Sequence, residues 1–428
     1  MNKKGVARLL SSTCLVLMLA AVLVFVSACP PNGTTPSPGS SPTPTGTGNP
    51  PAVIKIGGPV PLTGAYAAGG NELRFGYEQA VRDINARGGI YVSEYGTKLP
   101  IQIKIYDDES DPTKTVSRME ALANVDKVIC YTGSYSSELN APAAGIAEKN
   151  KIPIVAGSFS NLAPHLQGYQ YLFSPFVKTD KGVEMLFELL DGLGSSKPSK
   201  VAVWAEKTDW GEELKTIVPE VARAHGYTVV VNDQYSEMTL DFSSLILAAK
   251  AAGAEVVISV PTPVVALTMI KQMKELDYSP TAEVFWRGAS TSLWPGNLGA
   301  IGDYALFLSN WNWNFEYPGN QDLVAIYRAT EGKLPTVTVG NGYSIIQIIA
   351  DAIERAGSLD PAKIKDALAA TSNLMTVQGM ITGFEADGVG ICPAAIMQWQ
   401  SQISQVVFHE QYKSANFLYP MPKWSERR

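Results

Sequence analysis

Histidine and cysteine are scarce in this sequence of 428 residues, which has three histidines and four cysteines. His165, His225 and His409 lie far apart, and none stands beside cysteines at a spacing typical of zinc ligands. The sequence also lacks a G-x-S-x-G nucleophile motif and a G-x-x-x-x-G-K-S/T phosphate loop. We therefore expect a protein that is not an enzyme and that needs no metal and no cofactor.

Positive charge is in short supply as well, because 34 Lys and Arg face 40 Asp and Glu, a net charge of −6. No basic patch or run of Lys and Arg occurs, which argues against nucleic acid as a partner. The acidic segment DDESD at 107–111 leaves a cation site open as an alternative, although such loops more commonly cap helices.

Long hydrophobic runs are also rare, and the one at residues 9–26 follows a basic start. The residues Ser27-Ala28-Cys29 come next, and small residues before a cysteine resemble a bacterial lipoprotein signal. We expect a signal peptide over 1–28 and a lipid on Cys29, with an uncleaved membrane helix as the alternative. Either arrangement places the rest of the chain outside the cytoplasm and tethers it to the membrane.

The segment that follows, 29–52, is rich in Pro, Ser, Thr and Gly and has almost nothing to bury. It is typical of a disordered linker. Of the two cysteines beyond it, Cys130 and Cys392 could form one disulfide. Two separate buried thiols fit better, because we place them in different domains.

The body from residue 53 onward is too long for one ordinary domain, and strand and helix signals alternate along it. This alternation predicts an α/β fold with parallel sheets covered on both faces. The pattern restarts near Ser199, which indicates a second α/β domain built like the first.

The first strand–helix unit, 53–90, is the most informative stretch. We expect a strand that breaks at Gly57, then a Gly/Pro loop, then a helix that stops at Gly88 and Gly89. Free N–H groups in the loop, with the Thr63 hydroxyl, suit a small anion such as a carboxylate.

The last third is less regular. We expect a strand at 305–313, an amphipathic helix at 343–357 and a strand at 391–400. Chain order alone does not say to which domain these elements belong.

Five motifs carry a resemblance to a known family, and they cover nearly all of 53–390 in the family's order. They are GGPVPLTGAYAAGGNELRFGYEQAVRDINARGGI, IYDDESDPTKTVSRMEAL, YTGSYSSELNAPAAGIAEKNKIPIVAGS, AEKTDWGEEL and NGYSIIQIIADAIERAGSLDPAKIKDAL. The chain resembles the type I periplasmic binding proteins of the branched-chain amino-acid class, the substrate-binding components of ABC importers.

The resemblance implies two Rossmann-like doubly wound lobes joined by a three-stranded hinge, with the ligand held in the cleft between them. We place the chain crossings near 175, 312 and 388. Lobe one is then 53–175 plus 313–387, and lobe two is 176–312 plus 388–428.

The resemblance also implies ligand-binding residues in loops on both lobes. The loop GSYSS supplies carboxylate-binding hydroxyls, the loop AGSFS supplies further donors, and an aromatic side chain covers the ligand. The predicted set is Ser136, Ser137, Ser158, Phe159, Ser160, Trp210, Thr262, Ala289 and Tyr66. For each serine, a helix cap or turn is the simpler alternative, and for Trp210 it is core packing.

One departure from the family concerns the ligand's ammonium group. Amino-acid binders of this family usually place an acidic residue where this chain has Ala289 and Ser290, and the only charge of that loop is Arg287. Glu206 or Asp209 could supply the negative charge instead; otherwise the ligand lacks an ammonium.

Two further features bear on the shape of the pocket. A bare turn at Gly69 and Gly70 predicts a roomier pocket than in some relatives. Four tryptophans, at 286, 294, 311 and 313, allow an aromatic-lined pocket, although core packing is the more common role.

These expectations favour a lipid-anchored solute-binding protein that passes a small amino acid or related carboxylate to ABC permease and ATPase subunits. A binder of an amide, a urea-like solute or an aromatic carboxylate stays open. So does a sensory receptor for a signalling partner, because fold alone does not separate the two.

Overall fold

A computed structural model describes residues 49–427 of the chain. The expected signal peptide, the lipidation residue Cys29 and most of the linker lie outside the described residues. Within 49–427, no helix is both long and apolar enough to cross a membrane.

The helices of the described part alternate with short strands. They are α1 Ala67–Ala86, α2 Pro112–Ala121, α3 Ser137–Asn150, α4 Thr179–Asp191, α5 Asp209–Ala224, α6 Ser243–Ala252, α7 Pro263–Glu275, α8 Leu293–Leu298, α9 Asn320–Glu331, α10 Val337–Ala356 and α11 Pro361–Ala369. The strands are β1 Ile54–Val60, β2 Ile90–Val92, β3 Thr97–Leu99, β4 Ile101–Asp107, β5 Cys130–Thr132, β6 Ile154–Val155, β7 Leu172–Phe173, β8 Lys200–Glu206, β9 Thr228–Tyr235, β10 Val256–Ser259, β11 Ala282–Phe285, β12 Leu306–Ser309, β13 Leu374–Thr376, β14 Gly379–Ile381, β15 Gly383–Phe384, β16 Gly390–Ile391, β17 Ala395–Gln400 and β18 Ile403–Phe408.

Two sheets organise these elements. The first is fully parallel, with the order β4-β1-β5-β6-β7. The second repeats this order as β9-β8-β10-β11-β12, also parallel, and adds the antiparallel strands β17 and β18 at its far edge. The predicted α/β class with a restart near Ser199 is therefore confirmed.

Strand β1 is longer than we expected, because it continues through Gly57 and Pro59 to Val60. The strand lies between β4 and β5, and a side chain at Gly57 or Gly58 would collide with the backbone of those neighbours. The glycines allow close strand packing at these positions and do not break the strand.

Glycine is also misleading at Gly69 and Gly70, which we expected in a bare turn. Both residues lie inside α1. A side chain at Gly69 would collide with the ring of Tyr135, and one at Gly70 would collide with the carbonyl of Pro61. The missing side chains admit these close contacts, so the predicted bare turn is wrong, while the roomier pocket stays a prediction.

Helix α10 packs along α1, and Gly76 of α1 meets Gly342 of α10 at the crossing. The helix begins at Val337, six residues before the predicted start at Tyr343. The prediction missed the first turns because they are buried all round and show no amphipathic pattern. The chain thus returns to the helices of the first sheet after completing β12.

The predicted strands of the last third are shorter than expected. Only Leu306–Ser309 of 305–313 is a strand, and 391–400 is divided into β16 and β17 with Pro393 between them. The carbonyl of Pro175 accepts hydrogen bonds from Asn310 (2.8 Å) and Gln378 (3.0 Å), so three distant segments of the chain meet there. Cys130 and Cys392 are both free thiols.

Candidate functional site

A cavity lies where loops from both sheets converge beyond the carboxyl ends of their strands. The strand order reverses beside β1 in the first sheet and beside β8 in the second. In folds of this kind, ligands bind outside the carboxyl ends of the strands at such reversals. The lining residues are Tyr135, Ser136, Ser158, Ser160, Phe176, Trp210, Trp286, Arg287, Ser290, Leu308, Val337 and Thr338.

This inner cavity is small. Its volume is about 30 Å³, far below the ~300–1,000 Å³ of typical ligand pockets. A second, larger cavity of about 360 Å³, the outer cavity, lies beside it, and Trp210 lines both. An amino-acid-sized solute therefore fits the inner cavity only after side chains move or the two walls separate.

Four of the predicted ligand residues line the inner cavity, namely Ser136, Ser158, Ser160 and Trp210. Ser136 precedes α3 at φ +88° and makes no side-chain capping bond. Its buried hydroxyl lies beside the Glu138 carboxylate without a hydrogen bond of normal geometry. Helix capping therefore does not account for Ser136.

The loop that carries Ser158 and Ser160 is held from several sides. Asn341 of α10 donates to the Ser158 hydroxyl (3.2 Å), and Lys178 donates to the carbonyl of Phe159 (2.6 Å). Phe159 itself stacks on His165 at a centroid distance of 5.5 Å and faces the core and not the cavity. This support fixes the orientation of the two serines.

Trp210, in the first turn of α5, covers the cavity from the second sheet. Its indole N–H donates to the Thr179 hydroxyl (2.9 Å). Of the four tryptophans that we considered as a possible aromatic pocket, only Trp286 lines the inner cavity, while Trp294 and Trp313 donate to backbone carbonyls elsewhere.

The other predicted residues lie outside the inner cavity. Tyr66 and Ser137 line the outer cavity, and the Ser137 hydroxyl accepts from the N–H of Asn161 (3.3 Å). Thr262 caps α7 by accepting from Val265, and buried Ala289 offers its carbonyl to Trp399 (2.9 Å). Their role in ligand binding stays a prediction.

The anion that we expected at the Thr63 loop is a carboxylate of the chain itself. Asp107 accepts from the N–H groups of Leu62 (2.9 Å) and Thr63 (3.3 Å) and from the Thr63 hydroxyl (2.8 Å). In the same acidic segment, Asp108 accepts from Ser134, and Asp111 caps α2. Internal hydrogen bonds therefore account for the segment DDESD.

Arg287 is the charged residue that lines the inner cavity, and it lies between two carboxylates. Its guanidinium donates to Glu138 of α3 (2.6 Å) and to Glu206 at the end of β8. Burial raises the pKa of Glu206 to about 7 even though Arg287 lowers it. Burial also acts to raise the pKa of Glu138, but the attraction of Arg287 and the hydrogen bonds to this carboxylate together hold that pKa below its usual value.

Glu206 was one of two acids that we considered for a ligand ammonium, and it is buried at the site. Asp209, the other one, is exposed on the first turn of α5. In the sequence, Arg287 is recognisable only as the single charge of its loop. Its partner Glu138 was missed, because that residue lies 149 positions away in the sequence.

Several buried polar atoms around the site have no partner among the described residues. Three belong to possible donors, namely the hydroxyls of Ser136 and Thr338 and the indole N–H of Trp286. Two are carboxylate oxygens, one each on Glu138 and Glu206. The three donors line the inner cavity and Glu138 lines the outer one, whereas Glu206 lines neither. Unpaired buried polar atoms are costly, so the donors at the inner cavity point to a polar ligand.

Comparison with known proteins agrees with the fold. Residues 53–403 match the family described as periplasmic binding protein. A Leu/Ile/Val-binding protein homolog 7 from Brucella abortus (strain 2308) is 27% identical over 375 residues, 82% of this chain and 90% of the relative. These relatives are solute-binding proteins and not enzymes.

Solved structures show the same fold. The branched-chain amino acid transporter substrate binding protein LivJ from Streptococcus pneumoniae, in complex with isoleucine, matches with a TM-score of 0.73 at 20% identity, over 86% of this chain and 100% of that one. A solute binding protein from R. palustris in complex with benzoate matches with a TM-score of 0.71 at 18% identity, over 87% and 97%. The chain therefore belongs to the periplasmic binding protein family, in the type I class that its sequence motifs indicate.

Proposed function

We propose that this protein captures a small amino acid between its two sheets as the extracytoplasmic binding component of an ABC importer. The observation that carries the proposal is the set of unpaired polar atoms at the inner cavity and on the two carboxylates that hold Arg287. Hydroxyl and indole donors suit a carboxylate, and the free carboxylate oxygens suit an ammonium. A zwitterion supplies both groups, and the isoleucine complex of the LivJ neighbour supports this class of ligand.

The charges of the site favour the same ligand. Glu138 is ionised, and a pKa of about 7 leaves Glu206 partly ionised at neutral pH, so Glu138, Glu206 and Arg287 together carry between zero and one net negative charge. A ligand ammonium gains from this charge, whereas a carboxylate without an amine faces it. Glu206 thus supplies the acid that is missing near Ala289.

We further propose that the two sheets belong to two lobes that close on the ligand, with lobe one 53–175 plus 313–387 and lobe two 176–312 plus 388–428. The small inner cavity supports closure, because solute exchange requires the walls to separate. The segments that meet at Pro175 supply a hinge, and the ligand biases the open–closed equilibrium by binding better to the closed form.

Delivery to an ABC permease and its ATPase subunits follows from the family, and we propose that a lipid on Cys29 keeps the protein at the membrane. In a bacterial host, Cys29→Ser is expected to abolish incorporation of an alkyne-labelled fatty acid and to release the protein from the membrane fraction. Equal labelling of parent and variant would contradict the anchor.

The class of ligand is tested by a thermal-shift panel on protein that has been unfolded and refolded to strip carried-over ligand. The panel holds the L-amino acids, matching carboxylates without the amine, benzoate and short amides. A ligand at 100 times its dissociation constant adds about 2.7 kcal/mol of stability. A shift with benzoate and none with amino acids would favour the second candidate, an aromatic carboxylate, which the lining by Trp210 and Trp286 and the benzoate-bound neighbour also allow.

Removal of the free hydroxyl at the cavity tests the carboxylate site. Ser136→Ala is expected to weaken binding of the best amino acid by about 1.5–3 kcal/mol, roughly 10- to 150-fold, because a donor to a charged group is lost. Ser358→Ala is the matched control, since Ser358 is equally buried but donates to Glu94 and lines neither cavity. Titration calorimetry measures both, and unchanged affinity in Ser136→Ala would refute this placement.

A further inference from the structure

One side chain, Arg287, fills a site that its surroundings would offer to any guanidinium. We propose that the Arg287 guanidinium is the built-in occupant of a cation cage in the cleft, and that it sets specificity by excluding ligands with cationic side chains. The cage stands on geometry alone, while its effect on ligand choice rests on the proposed amino-acid binding.

Two aromatic rings and two carboxylates form the walls of this cage. The guanidinium carbon lies 5.1 Å from the ring centre of Tyr66 and 5.4 Å from that of Trp210. Glu138 and Glu206 accept from its two terminal nitrogens. Aromatic faces and carboxylates are the groups that bind planar cations in proteins.

Backbone carbonyls complete the cage. The carbonyls of Val260 and Pro261 accept from Arg287 at 2.9 Å and 3.3 Å. Four of the five N–H groups of the guanidinium are thus used, and the side chain is only 3% exposed. A cation held this completely has little left to offer a ligand, so Arg287 acts as a filler and not as the main ligand contact.

The cage stands between the two cavities of the cleft. Arg287 lines the inner cavity, Tyr66 and Glu138 line the outer one, and Trp210 lines both. The walls also come from both sheets, because Tyr66 and Glu138 follow β1 and β5 while the rest follow strands of the second sheet. The guanidinium fills the space between the two rings and the two carboxylates, so a long cationic side chain of a ligand cannot occupy the cage.

The cage is tested by emptying it. In Arg287→Ala, millimolar guanidinium chloride, far below denaturing concentrations, is expected to raise the melting temperature by a few degrees with saturation. Sodium chloride at the same ionic strength is expected to give no such rise. The controls are the parent and Arg355→Ala, since Arg355 pairs with Asp351 on the outside of α10 and leaves no cage behind.

Equal melting of Arg287→Ala in guanidinium and sodium salts would overturn the cage. If this variant does not fold by itself, its refolding yield with and without guanidinium replaces the melting temperature, and no gain in yield would overturn the cage equally.

The specificity is tested on the parent, which is expected to bind its best neutral amino acid at least 100-fold more tightly than L-arginine. Comparable binding of L-arginine would overturn the specificity role. A parent that binds no amino acid would refute the proposed function and leave the guanidinium result standing, so the two failures can be told apart.

Discussion

Arg427→Met is expected to lower the free energy of unfolding by about 3–5 kcal/mol, because it leaves a buried carboxylate without its partner. Arg427 and Glu283 of β11 form an ion pair of 3.4 Å in which both side chains are fully buried. Arg427 also donates to the carbonyl of Ile301 (2.9 Å) and stacks on Trp424. Burial already raises the pKa of Glu283, and the loss of Arg427 raises it further.

Equilibrium unfolding in urea measures this loss. Arg328→Met is the control, since Arg328 is exposed on α9 and the change there is expected to cost well under ~1 kcal/mol. The double variant Glu283→Leu with Arg427→Met is expected to recover most of the loss, because no buried charge remains. If Arg427→Met were as stable as the parent, the ion pair of Arg427 with Glu283 would not stabilise the packing of this segment on the second sheet.

The second large effect is expected in acid and comes from His165. Burial, with the nearby Lys178 charge, lowers the pKa of this imidazole to about 3. The unfolded chain protonates His165 near pH 6.5, so its contribution to stability is complete above that pH and is lost as the pH falls towards 3. The parent is therefore expected to lose about 4 kcal/mol between pH 7 and pH 3.5 through this residue alone.

His165→Gln tests this effect, because glutamine keeps a donor for the carbonyl of Asp387 but does not titrate. The unfolding free energy of the parent, relative to that of the variant, is expected to fall by about 4 kcal/mol from pH 7 to pH 3.5. His225 is the control with the opposite sign. Its hydrogen bonds with Asp191 and Glu184 raise its pKa, so its contribution is present in acid and is lost as the pH rises. Parallel curves for parent and His165→Gln would refute the assignment.

The sequence predicted the fold wherever local pattern and tertiary packing agree. The alternation of strands and helices and the restart near Ser199 are local signals, and the structure confirms them. The errors at Gly57 and Gly69 have one cause: a glycine that breaks a pattern looks the same in sequence as one that admits a neighbour at close range. Only the tertiary contact distinguishes the two.

The site shows the same limit. The loops with Ser136 and Ser158 were recognised from motifs, because each follows a strand directly along the chain. Arg287 was visible as a lone charge in an apolar loop, but its partners lie 81 and 149 residues away, and no local pattern links them. Thr338 comes from a third segment, at the start of α10, and carries no signal of its own in the sequence.

Hydrogen exchange with and without a bound solute tests the central claim most directly, namely that the solute is held between the two sheets. The probe is L-isoleucine, or whichever amino acid gives the largest thermal shift, at saturating concentration with the refolded protein. The account predicts slower exchange in 133–137 and 156–160 from the first sheet and, in the same experiment, in 204–211 and 286–290 from the second. Protection confined to one sheet, or lying away from these four loops, would contradict it.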